Sequence, residues 1–232
     1  MVARSTRDAL LEEGALLFAR RGVDGVTARE LHAAVGARNE SALHYHFGGR
    51  DGLVTAIVIE HVEAVEARRA VLVERLRGEG RTGDLRALVA ALARPMADDL
   101  ATPLGRAHLR IVAQVSLPSL AYRPPFQVAE APAGAAVVGW ITDALRDLPG
   151  PIRIERLAAL RTQLIGLFAF RARLIDESDG GDEARGTRGQ AEFVENVVDM
   201  LVAGLAGDPS TDALAAVEAR GGVAASDANG LH

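Results

Sequence analysis

Thr27 to Asp51, TARELHAAVGARNESALHYHFGGRD, is the stretch that most restricts how this chain can fold. Thr27 followed three residues later by Glu30 is a capping-box pattern, in which each side chain satisfies a backbone N–H that the first helical turn leaves unpaired. Leu31 and Val35 lie one turn apart and give an apolar face, and Gly36 suits a sharp helix exit because glycine tolerates positive φ. Asn39 reads as a second N-cap, with Ala42 at the third helical position. Leu43 and Phe47, four apart, face a core, whereas Arg38, Ser41, Ala42, His44 and Tyr45 point away from it. Gly48-Gly49 stops this helix, and Asp51 is the first-turn acid of the next. Two short helices around a glycine turn make a helix-turn-helix, whose second helix fits the major groove of DNA. The same spacing also fits an ordinary antiparallel helix pair in an all-α protein.

Composition narrows the rest. Of 232 residues, 49% are hydrophobic but only 4% aromatic, so the core must be built from Leu, Val, Ala and Ile, which suits helices. There is no cysteine, hence no disulfide framework, thiolate metal site or cysteine nucleophile. No run of about 18 apolar residues appears, and the N-terminus alternates charges instead of presenting a basic cap and an apolar run, so a soluble, cytoplasmic chain without a membrane span is expected. The net charge is −5, yet residues 1–50 carry seven Arg against six acids, +1, which leaves −6 for the remainder. Every basic residue other than His is Arg, which suits bidentate contacts to phosphate and guanine.

In chain order, the pattern predicts helices over about 7–21, 51–77, 84–100, 103–117, 132–148, 152–177 and 193–205, with a short one near 211–220. Pro95 is expected to kink or break its helix. Residues 118–132 and the acidic stretch 178–189 read as irregular. On the last long helix, Phe193, Val197, Met200, Leu201 and Gly204 belong to an apolar arc of about 200°, where an ordinary surface helix needs about 100°. Leu164 and Phe170 belong to a similarly wide arc on the preceding helix. Both arcs imply a two-fold dimer through these helices, or else a helix central to its own domain.

Chemistry-bearing residues are few. His44 and His46 sit at i and i+2 and point to opposite sides of a helix, whereas zinc-binding helices use i, i+4 spacing, so no metal is expected. No serine elbow, phosphate loop or dinucleotide fingerprint is present, and no catalytic residue or cofactor is expected. Met96, His108, Tyr122, Phe126, Trp140, Gln163 and Phe168 are candidate walls of a ligand pocket, or simply core.

From about residue 5 to residue 55 the chain resembles the DNA-binding domain of TetR/AcrR-family transcriptional regulators. Five blocks carry the likeness, in the family's order: Leu17-Phe18-Ala19-Arg20-Arg21-Gly22, Thr27-Ala28-Arg29-Glu30-Leu31, Gly36, Leu43-His44-Tyr45-His46-Phe47 and Arg50-Asp51-Gly52-Leu53. Between Gly36 and Leu43 the chain has one residue more than the commonest family pattern, so the turn is longer or the recognition helix starts earlier.

The resemblance implies an all-α protein. It would have a helix-turn-helix domain over 1–50, a larger helical effector-binding and dimerisation domain over 51–220, and a disordered tail over 221–232. It further implies a homodimeric repressor on palindromic double-stranded operator DNA, released by a small-molecule effector. Arg38, Asn39, Ser41, Ala42, His44 and Tyr45 would then face the groove. Thr27, Arg50 and the N-terminus of the long helix would hold phosphates, Arg4 would reach the backbone or the minor groove, and His46 would pack or meet a phosphate. Two other classes fit the residues: a ligand-binding or protein-interaction module without DNA binding, and a helical enzyme.

Overall fold

The computed structural model describes residues 5–35, 41–116, 131–178 and 189–219, and among these there is no β-strand. The helices are α1 Thr6–Arg21, α2 Ala28–Ala34, α3 Ala42–Phe47, α4 Arg50–Gly78, α5 Leu85–Ala97, α6 Pro103–Ser116, α7 Pro132–Ala144, α8 Gly150–Ser178 and α9 Gln190–Ala206. A 3-10 turn, Asp98–Ala101, joins α5 to α6, and residues 211–219 are again helical. No helix among the described residues is long and apolar enough to cross a membrane.

Two apolar cores organise the chain. The first gathers Leu10, Phe18, Leu31, Leu43, Leu53 and Ile57, so α1, α2, α3 and the opening turns of α4 share one interior; Ala107 and Ile111 of α6 complete it. The second begins at Val65 further along α4 and collects the inner faces of α5, α7, α8 and α9 around Phe168. Helix α4 runs unbroken through both because its 29 residues contain no proline and its only glycines lie at positions 52 and 78. The long helix thus belongs to both interiors.

Pro95 neither breaks nor ends α5, which continues to Ala97. A proline inside a helix strands the carbonyl four residues earlier, here that of Ala91, because it has no N–H to offer. Arg69 of α4 fills the gap: its Nε donates to the Ala91 oxygen at 3.3 Å and its Nη2 to the Leu92 oxygen at 3.4 Å. The Arg69 Nη1 in turn pairs with the Glu66 carboxylate. The other oxygen of Glu66 accepts from the backbone N–H of Gly134 at 3.0 Å. Helix α7 has Ala131 at its N-cap and no side-chain cap of its own, so Glu66 caps it from another helix.

Some boundaries differ from the sequence pattern. Helix α3 starts at Ala42 with Ser41 as N-cap, not at a cap on Asn39, which lies outside the described residues. Helix α7 stops at Ala144, and the chain turns through Leu148 before α8 opens at Gly150-Pro151, a position where proline's missing N–H does no harm.

Arg69→Leu is expected to lower stability by about 3–5 kcal/mol, because it leaves Glu66 buried without its counter-charge and the Ala91 carbonyl without a donor. In a Pro95→Ala background the loss should shrink by about 1 kcal/mol, since position 95 then supplies an N–H. Urea denaturation of the four proteins measures this coupling, and strict additivity would refute the proline-gap account.

Candidate nucleic-acid interface and buried cavity

Helix α2 is built as its sequence predicts. Thr27 Oγ1 accepts from the Glu30 N–H at 3.4 Å, and Glu30 Oε2 accepts from both the Thr27 N–H and its hydroxyl at 2.8 Å. Arg21 adds a 2.6 Å pair to the other Glu30 oxygen. The backbone N–H and hydroxyl of Thr27, then the Arg21 guanidinium, hold the Glu30 carboxyl down at about 2. Thr27 therefore spends both its donors within the cap, and the phosphate role expected for it has no free donor in this arrangement.

Helix α3 anchors itself by Leu43, which is buried, and by Phe47, which is half-buried with the Arg7 guanidinium 5.6 Å above its ring. Gly48 ends it in the left-handed region, at φ 72°, and its N–H closes on the His44 carbonyl at 2.8 Å. The next helix starts so close that a Cβ on Gly52 would lie 1.7 Å from the Phe47 carbonyl oxygen; only glycine lets α4 begin there. What remains outward is the run His44, Tyr45 and His46, all exposed, with the Tyr45 ring 82% accessible. Tyr45 and His46 meet edge to face at 5.0 Å. Ser41 is exposed and Ala42 half-exposed at the start of the same helix. This is a surface of hydroxyl and ring donors and acceptors, suited to base edges.

Arg50 is engaged within the protein. Its Nε donates to the Val26 carbonyl at 2.7 Å, its Nη2 to the Val23 carbonyl and its Nη1 to Asp51 at 2.6 Å, while the guanidinium covers the Phe18 ring at 5.7 Å. An arginine so engaged clamps the loop between α1 and α2 instead of presenting its charge to a phosphate. The N-terminus of α4 does keep its first-turn N–H groups free of any side-chain cap. Arg29, overlooked in the sequence reading, is exposed in the first turn of α2; its place between the two residues of the capping box was the available signal. Arg4, Arg38 and Asn39 lie outside the described residues.

The second core holds a cavity of about 430 Å³, walled by Val62, Val65, Leu92, Met96, Leu157 and Leu160 among others, with His61, Glu66, Arg69, Ser116 and Arg161 as its polar members. Of the expected pocket residues, Met96 is there. His108 is not, although its ring lies 5.5 Å from that of His61. Phe168 is core, edge-on to Phe193 at 5.3 Å. Trp140 packs under Arg77, and Gln163 is exposed. Helical periodicity alone does not tell which side of a buried face meets a void. Tyr122 and Phe126 lie outside the described residues. Among the described residues no group of His, Asp or Glu is arranged to hold a metal ion.

The expected pairing face is split. Val197 and Leu201 are buried within one protomer as α9 packs on α5 and α8, and Leu164 is buried against the cavity. Phe193 is half-buried on Phe168. Phe170 and Met200 stay 60% and 50% exposed, and Gly204 borders open space.

Residues 10–57 match the family of bacterial regulatory proteins described as the tetR family. No curated protein matches the chain. Solved structures that do match include one described as a molecular basis for control of antibiotic production by bacterial hormones, at 25% identity over 84% of this chain and 98% of that one, with a TM-score of 0.43. Another is the TetR-family regulator PfmR from Thermus thermophilus, at 17% identity over 90% and 100%, TM-score 0.37. A third is a TetR-family regulator from Pectobacterium atrosepticum, at 22% identity over 88% and 96%, TM-score 0.34.

Arg50→Ala is expected to destabilise the protein by about 1–3 kcal/mol through the two orphaned loop carbonyls, whereas Arg29→Ala should leave the melting temperature unchanged. Thermal denaturation of the pair checks this, and equal melting temperatures would show that Arg50 is not a clamp.

Proposed function

Since the chain belongs, through residues 10–57, to the tetR family of bacterial regulatory proteins and is thus a DNA-binding transcriptional regulator, we propose that it represses by holding a palindromic operator as a homodimer. A small molecule entering the cavity of the second core would release it. Ser41, Ala42, His44 and Tyr45 would read base edges, with His46, Arg29 and the free N–H groups of α4 on the phosphates. Arg4, Arg38 and Asn39 keep the DNA-contact roles expected of them.

The observation that carries the ligand-responsive reading is the double attachment of α6. Val112 and Ser116 of this helix border the cavity, while Gln114 between them accepts the Val23 N–H at 2.7 Å. Val23 also gives its carbonyl to Arg50. A molecule that displaces α6 therefore acts on the very loop that sets α2 and α3 against α1. Only a difference in affinity between the two arrangements can shift the DNA equilibrium, and α6 offers the contacts through which that difference could arise.

The dimer reading is supported by apolar surface left over after the protomer has packed. Ile154, Phe170 and Leu174 on α8 and Met200 with Gly204 on α9 stay uncovered although both helices serve the core. An isologous four-helix contact through α8 and α9 would cover them.

His44→Ala and Tyr45→Ala should each weaken binding to DNA from upstream of the protein's own gene by about 1–3 kcal/mol. Unchanged affinity of both variants in a mobility-shift titration would refute the groove assignment. The wild type is expected to sediment as a dimer at micromolar concentration and the double variant Phe170→Glu, Met200→Glu as a monomer. A monomeric wild type would remove the pairing.

A further inference from the structure

His61 is a polar group of the cavity wall with capacity to spare. It stands on α4 between Val58 of the first core and Val65 of the second, and it is buried, with 5% of its surface exposed. Its Nδ1 lies 3.4 Å from Asp99 Oδ2, and that carboxylate is held on both oxygens by Arg68 Nη2 at 2.8 and 2.9 Å. The approach is not an ion pair. Burial, aided by the neighbouring His108, Arg68 and Arg69, holds the imidazole neutral, with its pKa down at about 3. A carboxylate beside Nδ1 favours the tautomer that carries the proton there, which leaves Nε2 with a bare lone pair. Nε2 has no hydrogen-bond partner among the described residues, although the ring borders the cavity.

The other polar groups of the wall are differently placed. Glu66 and Arg69 are buried, but they pair with each other and with backbone groups of α5 and α7, so neither is left to neutralise an incoming charge. Arg161 is exposed, and its charge is already solvated. Most of the remaining wall is aliphatic. An ion brought inside would lose its water without gaining a counter-charge, whereas a neutral molecule would lose little.

We propose that this cavity takes an uncharged, largely apolar molecule whose hydroxyl or N–H donates a hydrogen bond to His61 Nε2. The inference rests on the reading of the cavity as the effector site and adds the chemistry of what fills it. A volume of about 430 Å³ suits a molecule of one or two rings or a branched chain of similar bulk. Donation to His61 also ties the occupant to α4 at the junction of the two cores, within ring contact of His108 on α6.

Three biphenyl probes of similar shape test this by isothermal titration with the full chain: 4-phenylphenol, 4-methoxybiphenyl and biphenyl-4-carboxylate. The phenol is expected to bind about five- to tenfold more tightly than the methyl ether, the scale of one hydrogen bond to a buried acceptor, and the carboxylate most weakly. His61→Phe should bind phenol and ether equally, and His61→Gln, which keeps an acceptor oxygen, should retain a preference for the phenol. Val138→Trp, at an exposed residue of the cavity wall, should weaken all three. Equal binding of phenol and ether by the wild type overturns the role of His61 without any variant having to fold. Tightest binding of the carboxylate overturns the uncharged class. Failure of every probe to bind, or binding indifferent to Val138→Trp, overturns the effector-cavity reading itself.

Discussion

The buried pair of Glu66 and Arg69 on α4 is the constraint from which the larger domain is built. Each partner is committed three ways: to the other, to the backbone of a second helix, and to the wall of the cavity. Arg69 makes a proline tolerable inside α5, and Glu66 supplies the cap that α7 lacks. A Cβ on Gly134 would stand 3.1 Å from the Glu66 carboxylate and 3.2 Å from the Arg69 guanidinium, so the first turn of α7 rests directly on the pair. Buried ion pairs seldom add much stability against apolar replacements, but they punish the loss of one member heavily. Here the pair fixes where three helices meet, and the cavity is what their meeting leaves between them.

The same helix α4 then carries that geometry to the other end of the molecule. Its first residue, Arg50, holds two carbonyls of the loop before α2, and α6 holds an N–H of the same loop through Gln114. From within, the loop is held by a turn bond from the Gly25 N–H to the Gly22 carbonyl at 3.2 Å. Three of its backbone groups are satisfied by side chains from two helices that also border the cavity, α4 through its middle turns and α6 on either side of Gln114. Arg106 and Arg110 of α6 further pair with Asp176 of α8 at 2.6 and 3.1 Å, so α6 is tied to the face proposed to meet a second copy. The loop before the helix-turn-helix, the cavity and that face therefore share one helix.

Local chemistry was legible in the sequence, and long-range chemistry was not. The capping box of Thr27 and Glu30, the glycine stop at Gly48 and the run of α4 through two cores all follow from residues within one or two turns of each other, where spacing fixes contact. The loop contacts of Arg50 were not legible because its carbonyl partners lie 24 and 27 residues away and nothing in a one-dimensional pattern marks a carbonyl as orphaned. Pro95 was expected to kink or break its helix; α5 runs on through it, and the donor to the carbonyl it strands comes from Arg69 on another element. The wide apolar arc of α9 is only partly used within the protomer. Its width did not say that Val197 and Leu201 would be buried as α9 packs on α5 and α8 while Met200 and Gly204 stay uncovered. His61, absent from the pocket expected from the sequence, looked like one more apolar-face position of α4.

The size of the recognition helix explains why the uncovered strip matters to the DNA. Six residues, Ala42–Phe47, rise about 9 Å along the helix axis, and two of them, Leu43 and Phe47, are spent on anchoring. The exposed remainder reaches roughly three base pairs at about 3.4 Å each, too few to single out a site in a genome. The outward residues His44, Tyr45 and His46 include no Arg among them and offer hydrogen-bonding rings, so they contribute discrimination more than attraction. Two copies joined through α8 and α9 would double both the base pairs read and the phosphates held. They would also make the distance between the copies a quantity the DNA senses. A neutral molecule bonded to His61, at the point where α4 leaves one core for the other, would then act on that distance without touching the DNA-binding surface.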